Sequence, residues 1–181
     1  MDAIVLEPYD PAWPQKFEVE KRFVAGCFTR PPGAIEHIGS TSVPGLAAKP
    51  IIDITVLVED LADGLTAVPE LEAGGYSYWR DNPDKTRLFL VKGLPPAAPH
   101  RTHHLHIHAN PVELDRHLAF RDALRADTRL CQAYAALKRD LATRYRHDRE
   151  AYSDAKTEFV DAVVAAAGGP TRPYPREMPK R

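Results

Sequence analysis

Apolar residues recur at helical spacing at Trp13, Phe17, Val24, Cys27 and Phe28, which predicts a helix over residues 12–28 closed by Arg30-Pro31-Pro32-Gly33. The period then shortens to two. Residues 34–39 read as a first strand and 51–58 as a second, joined by a loop with room for at most a short helical turn. In the second strand Ile52, Ile54, Val56 and Val58 share one face, whereas Asp53 and Thr55 share the other with Ile51 and Leu57. Leu61, Leu65, Val68 and Leu71 return to helical spacing over residues 60–73, with Asp60 as N-cap, Gly74-Gly75 as stop and Pro69 as a kink or split. Short strands follow at 76–80, 86–91 and 102–109, the last two forming a hairpin. From 112 to about 167 the pattern is helical with breaks near Asp127 and Asp148, which predicts three helices. The order is α+β: one domain over residues 1–167, then a flexible basic tail at 168–181 without apolar period.

A chain of 181 residues with 44% hydrophobic content can bury the core of a single domain. Lys and Arg number 24 against 25 Asp and Glu, a net charge of -1, so no global field draws in nucleic acid or an anionic membrane, and any anion site must be local. Cys27 and Cys131 lie in apolar helical patterns and read as buried free thiols, a bridge being the alternative, which favours a reducing, cytoplasmic setting. No segment reaches membrane-spanning length.

The chemistry concentrates in two places. The first is the run from His37 to Ile54. In it Gly39 lets the backbone approach a ligand, the hydroxyls of Ser40, Thr41 and Ser42 can donate to phosphate oxygens, and Asp53 follows on a strand, ready for a cation. An ordinary tight turn is the competing reading, but a lone carboxylate in an aliphatic strand needs a partner. The second is Thr102-His103-His104-Leu105-His106-Ile107-His108, where His104, His106 and His108 share a strand face and His103 takes the opposite, structural side. Two of these imidazoles with Asp53 could hold a cation; a half-exposed strand of solvated histidines is the alternative. Lys49 abuts the loop and Arg87 begins a central strand, so both are candidates for phosphate contacts, with Arg80 and Lys85 weaker ones. His117, Arg121, Tyr152 and Lys156 could cap a cleft or lie on exposed helix faces. Glu36, Glu59 and Asp60 have no obvious aim at it.

The stretch from Ile35 to Ile54 resembles the hallmark of the GrpB family. The resemblance extends to Tyr9-Asp10-Pro11-Ala12-Trp13-Pro14, His103-His104-Leu105-His106, the segment from His117 to Asp122, Glu150-Ala151-Tyr152 and Lys156-Thr157-Glu158-Phe159. It implies a nucleotidyltransferase-like mixed β-sheet flanked by helices with a C-terminal helical segment, and nucleotide with Mg²⁺. In some bacteria a similar domain is joined to a dephospho-CoA kinase domain. The wider nucleotidyltransferase pattern carries Asp-x-Asp or Asp-x-Glu on this strand, whereas here the triplet is Asp53-Ile54-Thr55. The histidine strand stands where that fold carries a third carboxylate.

Three functions follow. The first is an Mg²⁺-dependent nucleotidyl- or phosphotransferase acting on a small-molecule acceptor, with Asp53, His104 and His106 catalytic and metal-binding, and Gly39, Ser40, Thr41, Ser42, Lys49 and Arg87 holding the nucleotide. The second is a catalytically reduced nucleotide- or phosphate-binding module. The third is a histidine-based transition-metal site.

Overall fold

The computed structural model describes residues 3–96, 98 and 100–173. A helix α1 (Trp13–Gly26) is followed by strand β1 (Ala34–Ile38), a single 3₁₀ turn (Ser40–Ser42), strand β2 (Ile52–Leu57) and helix α2 (Leu61–Ala73). Strands β3 (Tyr76–Tyr78), β4 (Arg87–Lys92) and β5 (His103–His108) come next. Helices α3 (Pro111–Ala126), α4 (Thr128–Arg144), α5 (Arg149–Asp154) and α6 (Thr157–Ala166) complete the order.

The five strands form one mixed sheet in the order β1-β2-β5-β4-β3. β2 and β5 run parallel, and the other neighbours are antiparallel, including the expected β4–β5 hairpin. The alternation along β2 decides the faces. Ile52, Ile54 and Val56 join Leu105, Ile107, Leu88 and Leu90 in a core with Trp13, Phe17 and Val24 of α1 and Ala67 and Leu71 of α2. Ile54, Val56, Leu105 and Ile107 are fully buried, each side chain contributing about 1.5–3 kcal/mol. The opposite face carries Asp53, Thr55 and the histidines, and α3 packs over it. A second core of Val43, Leu46, Leu124 and Tyr134, backed by Phe120 and Phe159, clamps the loop after β1 between the sheet and the C-terminal helices.

Asp60 caps α2 by accepting from the Ala62 amide, and Asp127 and Asp148 cap α4 and α5 in the same manner, so the expected breaks are capped helix starts. Three points differ from the sequence reading. The helical segment holds four helices rather than three, because a further break falls at Ala155 and Lys156, where no side chain caps α6 and no glycine or proline marks the stop. Pro69 sits inside an unbroken α2. Leu65 is 48% exposed, and Gly64 takes its place, since a β-carbon there would lie 3.0 Å from Ile107.

Both cysteines are free thiols. Among the described residues no helix is long and apolar enough to cross a membrane. Of the basic tail, Pro170 and Arg172 are tied to α3 and α6 through Arg116 and Asp161, and residues 174–181 lie outside the described residues.

Candidate functional site

Strand register assembles the site. Asp53 stands beside His104, Thr55 beside His106 and Leu57 beside His108, all on the face under α3. The Nδ1 of His104 lies 2.9 Å from Oδ1 of Asp53. An ionised carboxylate only accepts, so His104 donates from Nδ1 and its Nε2 carries the lone pair. His106 is in the opposite tautomer. Nη1 of Arg87 lies 2.7 Å from its Nδ1, and arginine only donates, so His106 carries its proton on Nε2. Burial, then the Arg87 charge, holds the His106 pKa well below its usual range, which keeps that ring neutral.

Burial raises the Asp53 pKa, but the hydrogen bond from His104 and the charges of Lys49 and Lys156 bring it below its ordinary value. Its Oδ2 faces Gly39, whose backbone at φ 69°, ψ −171° lies in a region only glycine occupies readily.

The loop itself is held from within. Thr41, 1% exposed, donates its hydroxyl to the Ile51 carbonyl at 3.3 Å and lies 2.9 Å from Nε2 of His37. His37 stacks on Phe17 and is pushed down to about 4 by burial. Ser42 donates to the Gly39 carbonyl at 2.6 Å, and the Arg125 guanidinium donates twice to the Ser42 carbonyl, at 3.0 and 2.7 Å. Of the three hydroxyls read from the sequence as phosphate donors, those of Thr41 and Ser42 donate here to the Ile51 and Gly39 carbonyls. Ser40 is only partly buried and hydrogen-bonded to the Tyr134 side chain.

Lys49 reaches the same end, its ammonium 5.2 Å from the Tyr152 ring centre, with Lys156 over that ring at 4.2 Å. Arg87 does not join them. It pairs in register with His108 at the far end of the histidine row and contacts Asp84 at 2.9 Å. Arg80 pairs with Glu72, and Lys85 bonds the Arg80 carbonyl, both at the exposed surface. Arg121 reaches across to Glu36 at 2.9 Å and to the His37 carbonyl at 3.1 Å. His117 lies against His106 and His108, with burial lowering it to about 3.

A cavity of about 210 Å³ opens between this sheet face and the helices, lined by Gly39, Asp53, His106, His117, Phe120 and Val160 among others. That is smaller than the roughly 300–1,000 Å³ of a usual ligand pocket, and leaves room for a group about the size of a phosphate rather than for a whole nucleotide.

Mg²⁺ asks for oxygen donors, usually one or two carboxylates plus substrate phosphates. Asp53 has Oδ1 committed to His104, and Thr55 is fully buried and uncharged with its hydroxyl unpartnered. Glu36, opposite Thr55 in register, is engaged by Arg121. Among the described residues no three His, Cys, Asp or Glu side chains are grouped to hold a metal ion. These donors do not fit a resident Mg²⁺ ion.

The sequence reading missed Lys138 and Arg125. Lys138 is 2% exposed, donates to the Ala47 carbonyl and lies over the Tyr134 ring. Only a lysine standing at a core position of α4 could have drawn attention to it. Glu36 was visible in the sequence, but its place opposite Thr55 depends on the antiparallel register of β1 and β2.

The family model described as GrpB protein matches residues 3–166. A UPF0157 protein of Pseudomonas aeruginosa is 46% identical over 171 residues, covering 94% of this chain and 70% of that one. The crystal structure of the conserved protein GrpB from Enterococcus faecalis matches with a TM-score of 0.79 at 37% identity, over 90% of this chain and 96% of that one. Cid1, solved in complex with its short product ApU, matches with a TM-score of 0.52 at 16% identity, over 74% of this chain and 42% of its own, a likeness of fold alone. The fold is the expected nucleotidyltransferase-like mixed sheet flanked by helices.

Proposed function

Because the chain belongs to the GrpB family, we propose that it transfers a nucleotidyl or phosphoryl group from a nucleotide to the hydroxyl of a small molecule, at the cleft between β2, β5 and α3. The observation that carries this reading is the Asp53–His104 hydrogen bond at 2.9 Å, set against the Gly39 turn. It is a base oriented by a carboxylate that packs on the Gly39 backbone, and both Asp53 and Gly39 line the cavity.

In this scheme Ser40 and the Gly39 backbone receive the phosphates, and Lys49 neutralises charge that develops on the phosphoryl oxygens. Nε2 of His104 accepts the proton of the acceptor hydroxyl as its oxygen attacks phosphorus and the phosphoanhydride bond breaks, releasing pyrophosphate in nucleotidyl transfer or the nucleoside diphosphate in phosphoryl transfer, while Asp53 holds the ring and stabilises the imidazolium. The neutral His106 offers its Nε2–H as a donor beside the reacting group.

The test is ³¹P NMR of the purified chain with ATP, GTP, CTP and UTP and a panel of hydroxyl acceptors. His104→Gln and Asp53→Asn should each lower turnover by about 10²-fold or more, the usual range for a general base. Unchanged turnover in both variants would remove the dyad from the chemistry.

A second reading, a domain that binds a nucleotide or phosphate without turning it over, is favoured by one observation. Thr55, uncharged and fully buried, stands where the nucleotidyltransferase pattern carries a second carboxylate. Nucleotide affinity equal in wild type and Asp53→Asn, with no product under any condition, would establish that reading instead.

A further inference from the structure

The cavity under α3 holds a carboxylate that nothing in the fold answers. Glu113, the third residue of α3, lines it together with Asp53, His106 and His117. Among the described residues Glu113 has neither an ion pair nor a hydrogen bond, whereas the cations around it are all committed elsewhere. Arg116 and Arg172 both bond Asp161, Arg116 also bonds the Pro170 carbonyl, and Arg87 is held by His106 and Asp84. Nor does the helix need Glu113 as a cap, because Asn110 accepts from the Val112 amide in that role. Burial pushes the Glu113 carboxyl up against the charges of Arg116, Arg172 and Arg87, with Asp84 adding to the push, as befits a carboxylate without a contact partner.

A second group in the same lining points the same way. Nδ1 of His117 is buried without a hydrogen-bond partner, and burial keeps the rings of His117 and His106 neutral, so His117 retains a lone pair. Counting Asp161, which the two arginines share, the cavity has three carboxylates, Asp53, Glu113 and Asp161, to two guanidiniums, Arg116 and Arg172. A phosphate would meet an excess of negative charge beside Glu113. A protonated amine suits the same wall, since it brings the opposite charge and can donate N–H both to the carboxylate and to the imidazole.

We infer that Glu113 and His117 form a subsite for a primary ammonium group, so that the small-molecule acceptor of the transfer reaction is an amino alcohol. The acceptor role rests on the transfer reading, whereas the ammonium subsite stands on the cavity alone. The His106 ring lies 6.3 Å from that of His117 and 6.4 Å from that of His104, which puts an amine at His117 a short carbon chain away from the base. The ammonium keeps its protons throughout. The hydroxyl oxygen forms the new bond to phosphorus, its proton passes to Nε2 of His104, and the phosphoanhydride bond of the nucleotide breaks.

The experiment is ¹⁵N NMR titration of the full chain with three ligands. These are ethanolamine, ethylene glycol, which carries a hydroxyl in place of the ammonium, and choline, which keeps the charge but has no N–H. Ethanolamine is expected to bind about tenfold or more tightly than either, the usual worth of a hydrogen bond to a charged group. Glu113→Gln should remove about tenfold or more of that affinity, and Arg172→Gln, which takes a positive charge from the same wall, should leave it as tight or tighter. Circular dichroism separates lost binding from lost fold, and the comparison of the three ligands needs no variant. In ³¹P NMR with a nucleoside triphosphate, ethanolamine should be converted in preference to ethylene glycol, with Glu113→Gln raising KM far more than it lowers kcat.

Ethylene glycol or choline binding as tightly as ethanolamine, inorganic phosphate displacing ethanolamine, or binding indifferent to Glu113→Gln in folded protein would each overturn the inference. Turnover of hydroxyl acceptors at the same rate with or without an amine would overturn it too, and would leave the transfer reading standing. Ethanolamine bound with the expected selectivity but never converted would support the ammonium subsite and count against the transfer reading alone.

Discussion

A β-carbon added to Gly39 would lie 2.5 Å from Oδ2 of Asp53, so the turn and the carboxylate fit only while residue 39 has no side chain. The positive φ of 69° adds a second reason for glycine there. Gly39→Ala should therefore cost about 1–3 kcal/mol in stability and displace Asp53 from His104. Thermal unfolding reads the first effect and nucleotide turnover the second. A variant with wild-type melting and activity would mean that the loop has another conformation at hand.

Acid should weaken the fold well before its carboxylates titrate. Burial holds His37 and His108 down to about 4 and His117 to about 3, against 6.5 in the unfolded chain. Below 6.5 the unfolded state binds these protons and the folded state resists them. Their contribution is complete above that pH and is lost as the pH falls toward 4. By pH 5.5 the cost is about 1 kcal/mol for each histidine. Urea midpoints at pH 7.5, 6.5 and 5.5 should show a small drop over the first step and one about three times larger over the second. A flat profile throughout would contradict the buried neutral rings.

Arg125 fixes the loop from α3 by giving two hydrogen bonds to a single carbonyl, that of Ser42. Arg125→Ala should destabilise by about 1–3 kcal/mol and speed amide exchange across residues 39–43. Exchange there at the wild-type rate, measured by mass spectrometry, would show that the second core alone holds the loop.

Thr55→Asp would restore an acidic pair on β2, but at a fully buried position. Without metal the variant should melt well below wild type, since an unpaired buried carboxylate is costly. Millimolar Mg²⁺ should recover part of the loss while leaving the wild-type melting temperature where it was. Calorimetric scans with EDTA and with Mg²⁺ give the comparison, and a wild-type shift equal to that of the variant would argue for a metal site already present.

The strands, the hairpin and the face carrying Asp53 and the alternating histidines were legible because period-two alternation and Gly or Pro punctuation are local signals. The pairing of Asp53 with His104 was not local. It depends on β5 inserting beside β2, which no spacing within either strand encodes. The hydroxyls of Thr41 and Ser42 were readable as donors, but their acceptors at Ile51 and Gly39 are supplied by the way the loop closes. Lys138 looked like any helix lysine until Tyr134 and the Ala47 carbonyl surrounded it. The break at Ala155 stayed hidden because neither residue there carries a capping or breaking signal.

The parallel pairing of β2 with β5 has a kinetic side. The two halves of the dyad are 51 residues apart in the chain, and β2 keeps an open edge until β5 docks between it and β4. Non-local pairing of this kind is slow to form, and an open edge is where one chain joins another. During synthesis, β1 and β2 leave the ribosome with Asp53 uncovered while α2 and the β4–β5 hairpin are still being made. The same strand that carries the chemistry is thus the exposed seam of the half-made protein, and slow passage through the hairpin would show as aggregation of nascent chains before any loss of activity in those that finish.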